Sequence, residues 1–356
     1  MPSPTFHSVS AYLKRTLTLL FVGSALGLTV ILAVPQNLGL WGYYPVVQLD
    51  ALPLAWIMVL IICIISACIV LRGTLAVSGV CRTLLQIMVI LLVSAVLVEG
   101  ALFYRAGGFL PARFATAELA QGDLTVLSFN ALDTEADDVV RAVVDSEADA
   151  VMLVETTRDV AEAVVLQLQR EGITNQLFMG SGTALQGDQE VAVIVTGRLG
   201  VYHEVPSPAL AFGSVTVAPR TRAETVTGSV RAASPTLSAV HPPAPFPGKT
   251  PAAVWRQQLQ AAVGPCRDDG AIVGGDFNAS PRQVTQTMGT ECIHAGTHLG
   301  RESVGTWPAA IPAPLGASID HQITNGGNWE PVGIAFMDVG QSDHRAVAVN
   351  YRAVNS

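Results

Sequence analysis

Asp276 and Asn278 stand two residues apart in the stretch Ala-Ile-Val-Gly-Gly-Asp-Phe-Asn-Ala-Ser, residues 271–280. A carboxylate can take a proton from water, and a carboxamide beside it can hold an oxygen in place, which together suit hydrolytic chemistry. In extended backbone the two side chains point to the same side. The apolar run 271–273 predicts a buried strand, and Gly274 and Gly275 predict a tight turn at its end. Asp-x-Asn also occurs in turns and calcium loops, so the pair needs partners before it means catalysis. Asn278-Ala279-Ser280 also fits a glycosylation acceptor, a pattern short enough to arise by chance.

Partners of the right kind lie elsewhere in the chain. Asn130, Glu155 and His241 each follow an apolar run directly, and Asp320-His321 and Ser342-Asp343-His344 lie near the carboxyl end. Each has a plain reading: Asn130 forms a turn, Glu155 caps a helix, His241 sits in a loop, Asp343 turns the chain. Five polar groups placed at the ends of apolar runs are hard to explain that way together, because strand ends in layered α/β sheets are where active sites gather.

The elements that must position them alternate. Strands are predicted over 124–129 and 150–154, each followed by a helix, 135–146 and 158–170. Short strands over 191–195, 201–205, 214–217, 224–231 and 236–240 come next. A helix over 251–263 has Pro251 at its start, the strand at 271 follows it, and late strands cover 319–324 and 346–351. Prolines 242, 243, 245, 247 and 251 make a stiff loop after His241. Strand–helix alternation with runs of consecutive strands predicts an α/β layered fold with mixed sheets.

Half the residues are hydrophobic and only 13% are charged, and the excess lies in the first 104 residues. Three apolar runs, 16–34, 52–71 and 83–104, each approach the ~20 residues that cross a bilayer. The first follows Lys14 and Arg15 and could be a signal peptide, but no small-residue cleavage site follows it. Three membrane helices are expected, with residues 105–120 as a linker and 121–356 as the soluble domain. Basic residues before the first run and at Arg72 and Arg82, against a Lys/Arg-free segment 35–50 bearing Trp41, Tyr43 and Tyr44, predict a cytoplasmic amino terminus and an extracytoplasmic domain. In that compartment Cys266 and Cys292 are expected to form a disulfide. From residue 121 onward there are 14 Lys and Arg against 25 Asp and Glu, a net of −11. That balance disfavours long nucleic acid, whose non-specific binding comes from neutralised phosphates.

The series Ser-Phe-Asn130, Glu155-Thr, His241, Gly-Asp276-Phe-Asn278-Ala, Ile-Asp320-His and Ser342-Asp343-His344 resembles the endonuclease/exonuclease/phosphatase superfamily over about residues 123–353. The three apolar runs ahead of it are similar to membrane-anchored actinobacterial members. The resemblance implies a four-layer α/β sandwich, two mixed sheets flanked by helices, that hydrolyses phosphoesters with Mg²⁺, or Mn²⁺ in its place. It implies that Glu155, Asn130 and Asp343 hold the metal, that Asp276 deprotonates the attacking water, and that Asn278 holds that water or a phosphate oxygen. His241 and His344 would donate to phosphoryl oxygens, and Asp320 would pair with His344. Glu190, Tyr202 or Glu224 could support His241, and Arg220 or Arg222 could meet a substrate phosphate. The substrate is left open between nucleic acid, a phospholipid head group and a small phosphorylated metabolite. The lipid bilayer is the other expected partner, and no protein partner is expected. An inactive scaffold on the same fold is the competing expectation.

Overall fold

The structure is a computed structural model that describes residues 16, 20, 23, 24, 27, 39–73, 79–110, 119, 122–184, 189–220 and 234–354. Most of the expected span 16–34, the expected strand 224–231, Arg222 and Glu224 lie outside the described residues. The chain divides into two compact units, Met1–Tyr104 and Arg105–Ser356.

In the first unit, α1 (Val46–Ala51) precedes two long helices, α2 (Pro53–Gly73) and α3 (Gly79–Arg105). Among the described residues these are two spans, not three, that are long and apolar enough to cross a bilayer: Pro53–Arg72 with mean hydropathy 3.1 and Arg82–Arg105 with 2.4. Trp56, Leu60, Leu85, Met88 and Leu92 pack together as their buried core. Ile62, Ile65, Ile69, Ile90 and Leu97 face outward, an apolar surface larger than water-soluble proteins usually expose. Arg72 and Arg82 lie inside the ends of α2 and α3.

The second unit contains, in order, β1 (Leu124–Asn130), α4 (Ala136–Ser146), β2 (Ala150–Thr156), α5 (Arg158–Arg170), β3 (Asn175–Gly180), β4 (Glu190–Thr196), β5 (Tyr202–Val205), β6 (Ser214–Pro219), β7 (Thr236–Val240), α6 (Ala252–Val263), β8 (Ala271–Asp276), α7 (Pro281–Met288), β9 (Cys292–His294), α8 (Ala295–His298), β10 (Asp320–Asn325), β11 (Trp329–Asp338) and β12 (Arg345–Ala353). They form two six-stranded sheets, ordered β11-β12-β1-β2-β4-β3 and β5-β6-β7-β8-β10-β9. Both are mixed: β1–β2 and β7–β8 run parallel and their other pairs antiparallel.

Strand periodicity explains the layers. Val126, Met152 and Val154 point into a core shared with Val215, Leu237 and Ile272 of the other sheet. The alternate residues Leu127, Phe129, Val151 and Leu153 pack instead with Val139, Val143, Val164 and Leu168 of α4 and α5. Both faces are buried, so these strands read as continuous apolar runs. Gly274 and Gly275 do not make a turn. They lie inside β8, where a Cβ on Gly274 would sit 2.9 Å from Met152 Sδ, and one on Gly275 (φ 143°) would collide with the Val240 carbonyl. The glycines let strand and sheet come close, which a side chain would prevent. Cys266 and Cys292 form the expected disulfide, Cα–Cα 6.0 Å.

One polar side chain ties the sheets together at their centre. Gln322, 1% exposed, places Nε2 2.9 Å from the carbonyl oxygens of both Val126 and Val347, and its Oε1 accepts from Tyr351 Oη at 3.0 Å. Gln322→Leu strands the Tyr351 hydroxyl, at about 1–3 kcal/mol for a buried group left without a partner. A lower melting temperature is expected. Adding Tyr351→Phe should restore part of it, and a double variant no more stable than the single one would refute the bridge.

Candidate active site

Parallel β1 and β2 end beside each other, as do β7 and β8, and antiparallel β10 and β12 begin where those strands end. The topology therefore gathers Asn130, Glu155, His241, Asp276, Asp320 and His344 at one end of the two sheets.

Glu155 shows how the local chain achieves this. Strict alternation along β2 would send it to the helix-covered face. Instead the register with β4 shifts between Leu153 and Thr156, and Glu155 takes a left-handed φ of 53°. A bulge of this kind re-aims a side chain. Thr157, not Glu155, caps α5, its Oγ1 accepting from Val160 N at 3.3 Å. Asn130 Nδ2 donates to Glu155 Oε1 at 2.7 Å, while its own Oδ1 accepts from Leu132 N at 3.1 Å. Asn130 thus both turns the chain and holds Glu155.

Asp276 is the centre, 2% exposed. Its Oδ2 lies 3.4 Å from Asn130 Nδ2, 3.6 Å from His241 Nε2 and 3.9 Å from His344 Nε2. Its Oδ1 accepts from Asn278 N at 2.8 Å. Asn278 departs from the extended geometry expected for it: its φ is 47°, and Nδ2 donates to Pro242 O at 3.0 Å, which fastens the proline-rich loop to the site. Directly across the ladder from Asp276 stands Asp320, whose Oδ2 accepts from His344 Nδ1 at 2.8 Å. Ser342 Oγ donates to Asn130 O at 2.7 Å and accepts from His344 N at 3.0 Å, tying the last motif to the first.

The environment separates the titrating groups. Burial, then the charge of Asp320, pushes Asp276 up to about 7, against the pull of His344. Burial also raises Glu155 above the usual carboxylate range, against the hydrogen bond from Asn130. Burial, aided by the positive charge of His344, pushes His241 down to about 3. His241, with Nε2 3.4 Å from Glu155 Oε1, therefore meets the carboxylates as a neutral ring. Burial opposes the imidazolium of His344 as well, but Asp320, by charge and hydrogen bond, then Asp276 and Asp343, push it up to about 10. One histidine is held neutral and the other charged.

Two groupings bring possible metal-ligating atoms within 4.8 Å of one another: Glu155, His241 and Asp276, and Asp276, Asp320 and His344. The donor set fits a divalent cation, since two carboxylates carry raised pKa values in a buried pocket where the nearby His241 supplies no charge, and oxygen donors suit hard ions. Asp343 lies outside both groupings. Its Oδ2 accepts from Trp307 Nε1 at 2.9 Å, and its Oδ1 lies 3.9 Å from His344 Nε2.

Of the expected supports of His241, the two among the described residues have other partners. Glu190 pairs with Arg158 at 3.1 Å, and Tyr202 Oη donates to Pro235 O at 2.9 Å. His241 instead meets the Phe212 ring edge-on, centroids 5.0 Å apart. His294 caps α8, and His321 lies with Nε2 2.8 Å from Ala279 O, so both are structural. Thr306 and Trp307, which touch the site, follow from no sequence pattern.

Residues 126–344 match the family model described as Endonuclease/Exonuclease/phosphatase family. Similar solved structures include an endonuclease/exonuclease/phosphatase from Beutenbergia cavernae, at 16% identity over 65% of this chain and 72% of that one, TM-score 0.49. A family protein from Leptotrichia buccalis has 12% identity, 65% and 100% coverage and TM-score 0.47. TDP2 of D. rerio, complexed with a single-strand DNA product, has 15% identity, 64% and 98% coverage and TM-score 0.45. Among curated proteins there is no match.

Proposed function

The chain belongs to the endonuclease/exonuclease/phosphatase family, and from that premise we propose that it is a membrane-anchored, extracytoplasmic phosphoester hydrolase that requires Mg²⁺ or Mn²⁺. The observation that carries this reading is the line Asp320–His344–Asp276, with Nδ1 of His344 2.8 Å from one carboxylate and Nε2 3.9 Å from the other.

Asp276, poised near neutrality, accepts the proton of the attacking water. The N–H of Asn278, donating to Oδ1, keeps its other oxygen turned toward the histidines. His344, charged and held through Nδ1, offers its Nε2–H to a phosphoryl oxygen as negative charge grows there. His241 adds a neutral donor beside Glu155 and Asp276. Glu155, braced by Asn130, would be the principal metal ligand, with Asp343 as a second. The bound cation would neutralise phosphate charge and ease departure of the leaving oxygen. Two apolar spans support the anchor, and the disulfide supports an oxidising compartment. A reporter active only outside the cytoplasm, fused after Ser356, would be silent if the orientation is wrong. The net charge leans against long nucleic acid and toward lipid head groups or small phosphorylated molecules.

The test uses the full chain in detergent with Mg²⁺, Mn²⁺ or a chelator, on DNA, RNA, sphingomyelin, phosphatidylinositol phosphates and a generic phosphodiester. Metal-dependent cleavage of one substrate class is expected. A folded protein that cleaves none of them and binds neither metal would instead be a scaffold.

A further inference from the structure

We propose that Trp307 is a positioning residue for Asp343, locked in place by Arg345. The inference rests on the reading of Asp343 as a metal ligand. Residues 303–319, between α8 and β10, contain no charged side chain, yet the backbone around Trp307 is fixed from several directions. Arg345, 5% exposed, donates from Nη1 to Gly305 O at 3.0 Å and from Nη2 to Ala309 O at 2.6 Å and Ile311 O at 2.7 Å, while Nε faces Asp338 at 3.1 Å. Its backbone N–H donates to Thr306 O at 2.8 Å, and Ala309 N donates to Asp343 O at 2.7 Å. Thr306 and Trp307 both donate from backbone nitrogen to Ala317 O. A buried guanidinium is costly unless its charge and N–H groups are met. Here they are met largely by carbonyls of one short segment, so that segment's shape is what the arginine secures.

The segment touches both acidic members of the terminal motifs. Thr306 Oγ1 accepts from Asp320 N at 3.2 Å, and Trp307 Nε1 donates to Asp343 Oδ2 at 2.9 Å. The indole is 40% exposed, so burial does not account for its placement; the polar contact that anchors it is the one to Asp343. With Oδ2 held, Asp343 can turn only Oδ1 toward the site, where it already lies 3.9 Å from His344 Nε2. Metal-ligating carboxylates are themselves hydrogen-bonded, and losing such a support costs about 10- to 100-fold in metal affinity.

The experiment measures Mn²⁺ affinity by electron paramagnetic resonance on the full chain in detergent, for the parent, Trp307→Phe, Trp307→His and Asp343→Asn, with thermal melts alongside. Trp307→Phe keeps a ring and removes the N–H; it should melt like the parent and bind Mn²⁺ about 10- to 100-fold more weakly. Trp307→His restores a donor and should recover part of the loss; it carries the test should the Phe variant not fold. Parental affinity in Trp307→Phe with affinity lost in Asp343→Asn would overturn the positioning role. Parental affinity in Asp343→Asn would remove Asp343 from the metal set and the proposal with it, while metal-dependent cleavage by the parent would leave the proposed reaction standing.

Discussion

Asp276→Asn is expected to lower kcat by about 10²- to 10⁴-fold, the range for loss of a positioned general base, without loss of thermal stability. The substitution keeps the shape and the acceptor for Asn278 N, and removes the capacity to take a proton together with one of the negative charges beside His344. Stability moves the other way because the native carboxylate is under strain. Its pKa is raised in the fold from 3.8 to about 7. A raised value means the fold is favoured below the unfolded pKa and loses that advantage as pH climbs through the folded one. In chelator the melting temperature of the Asn variant should therefore rise relative to that of the parent between about pH 4 and 7. Measuring kcat on the substrate found in the panel, and melting temperature against pH in chelator, checks both halves. A variant retaining a tenth or more of parental kcat would remove Asp276 from the role of base.

The residues that sit at strand ends were legible in the sequence, because a polar side chain directly after an apolar run is visible without the fold. Asn130, Glu155, His241 and Asp276 carry that signature, and the two parallel strand pairs bring them together, whereas Asp320 and His344 stand at the starts of β10 and β12 and were legible only through the short motifs around them. What could not be read is how the chain bends to aim them. The bulge that turns Glu155 and the left-handed backbone at Asn278 arise from pairing with β4 and from the loop at Pro242, contacts remote in sequence. β11 shows no strand period in the sequence, because Pro331 and Gly333 flank a register shift that interrupts its alternation. β3 carries no apolar run to mark it, because it is a half-buried edge strand. α7 opens on a capping box of Ser280 and Gln283, a signal that is present in the sequence. Thr306, Arg345 and Gln322 act through hydrogen bonds to distant backbone, and Trp307 through one to a distant carboxylate, for which sequence has no period.

Asp320→Asn tests the other half of the site, and its effect should be seen in the pH profile as well as the rate. Asp320 is 2% exposed, and its Oδ2 takes the Nδ1 proton of His344. Two forces compete for that imidazole: burial, which disfavours its charge, and the surrounding carboxylates, Asp320 foremost, then Asp276 and Asp343, which together carry it to about 10. With the carboxylate made neutral, burial is opposed only by Asp276 and Asp343, and the charged form retreats toward neutral pH. The parent should hold His344 as a cation across the neutral range, so its alkaline limb of kcat falls near pH 10. In the variant that limb should move down by several pH units, and kcat at neutral pH should fall about 10²- to 10³-fold, as for removal of one positioned donor to a developing oxyanion. Stability carries the same sign. His344 is raised from 6.5, so its contribution is full below that value and disappears as pH rises through about 10. The parent should become easier to denature over that window and the variant should show a flatter dependence. An alkaline limb that does not move would mean that His344 is not the charged donor. The Asp320–His344 pair would then be a structural contact between the starts of β10 and β12, and charge on the phosphoryl oxygens would have to be met by His241 and the cation alone.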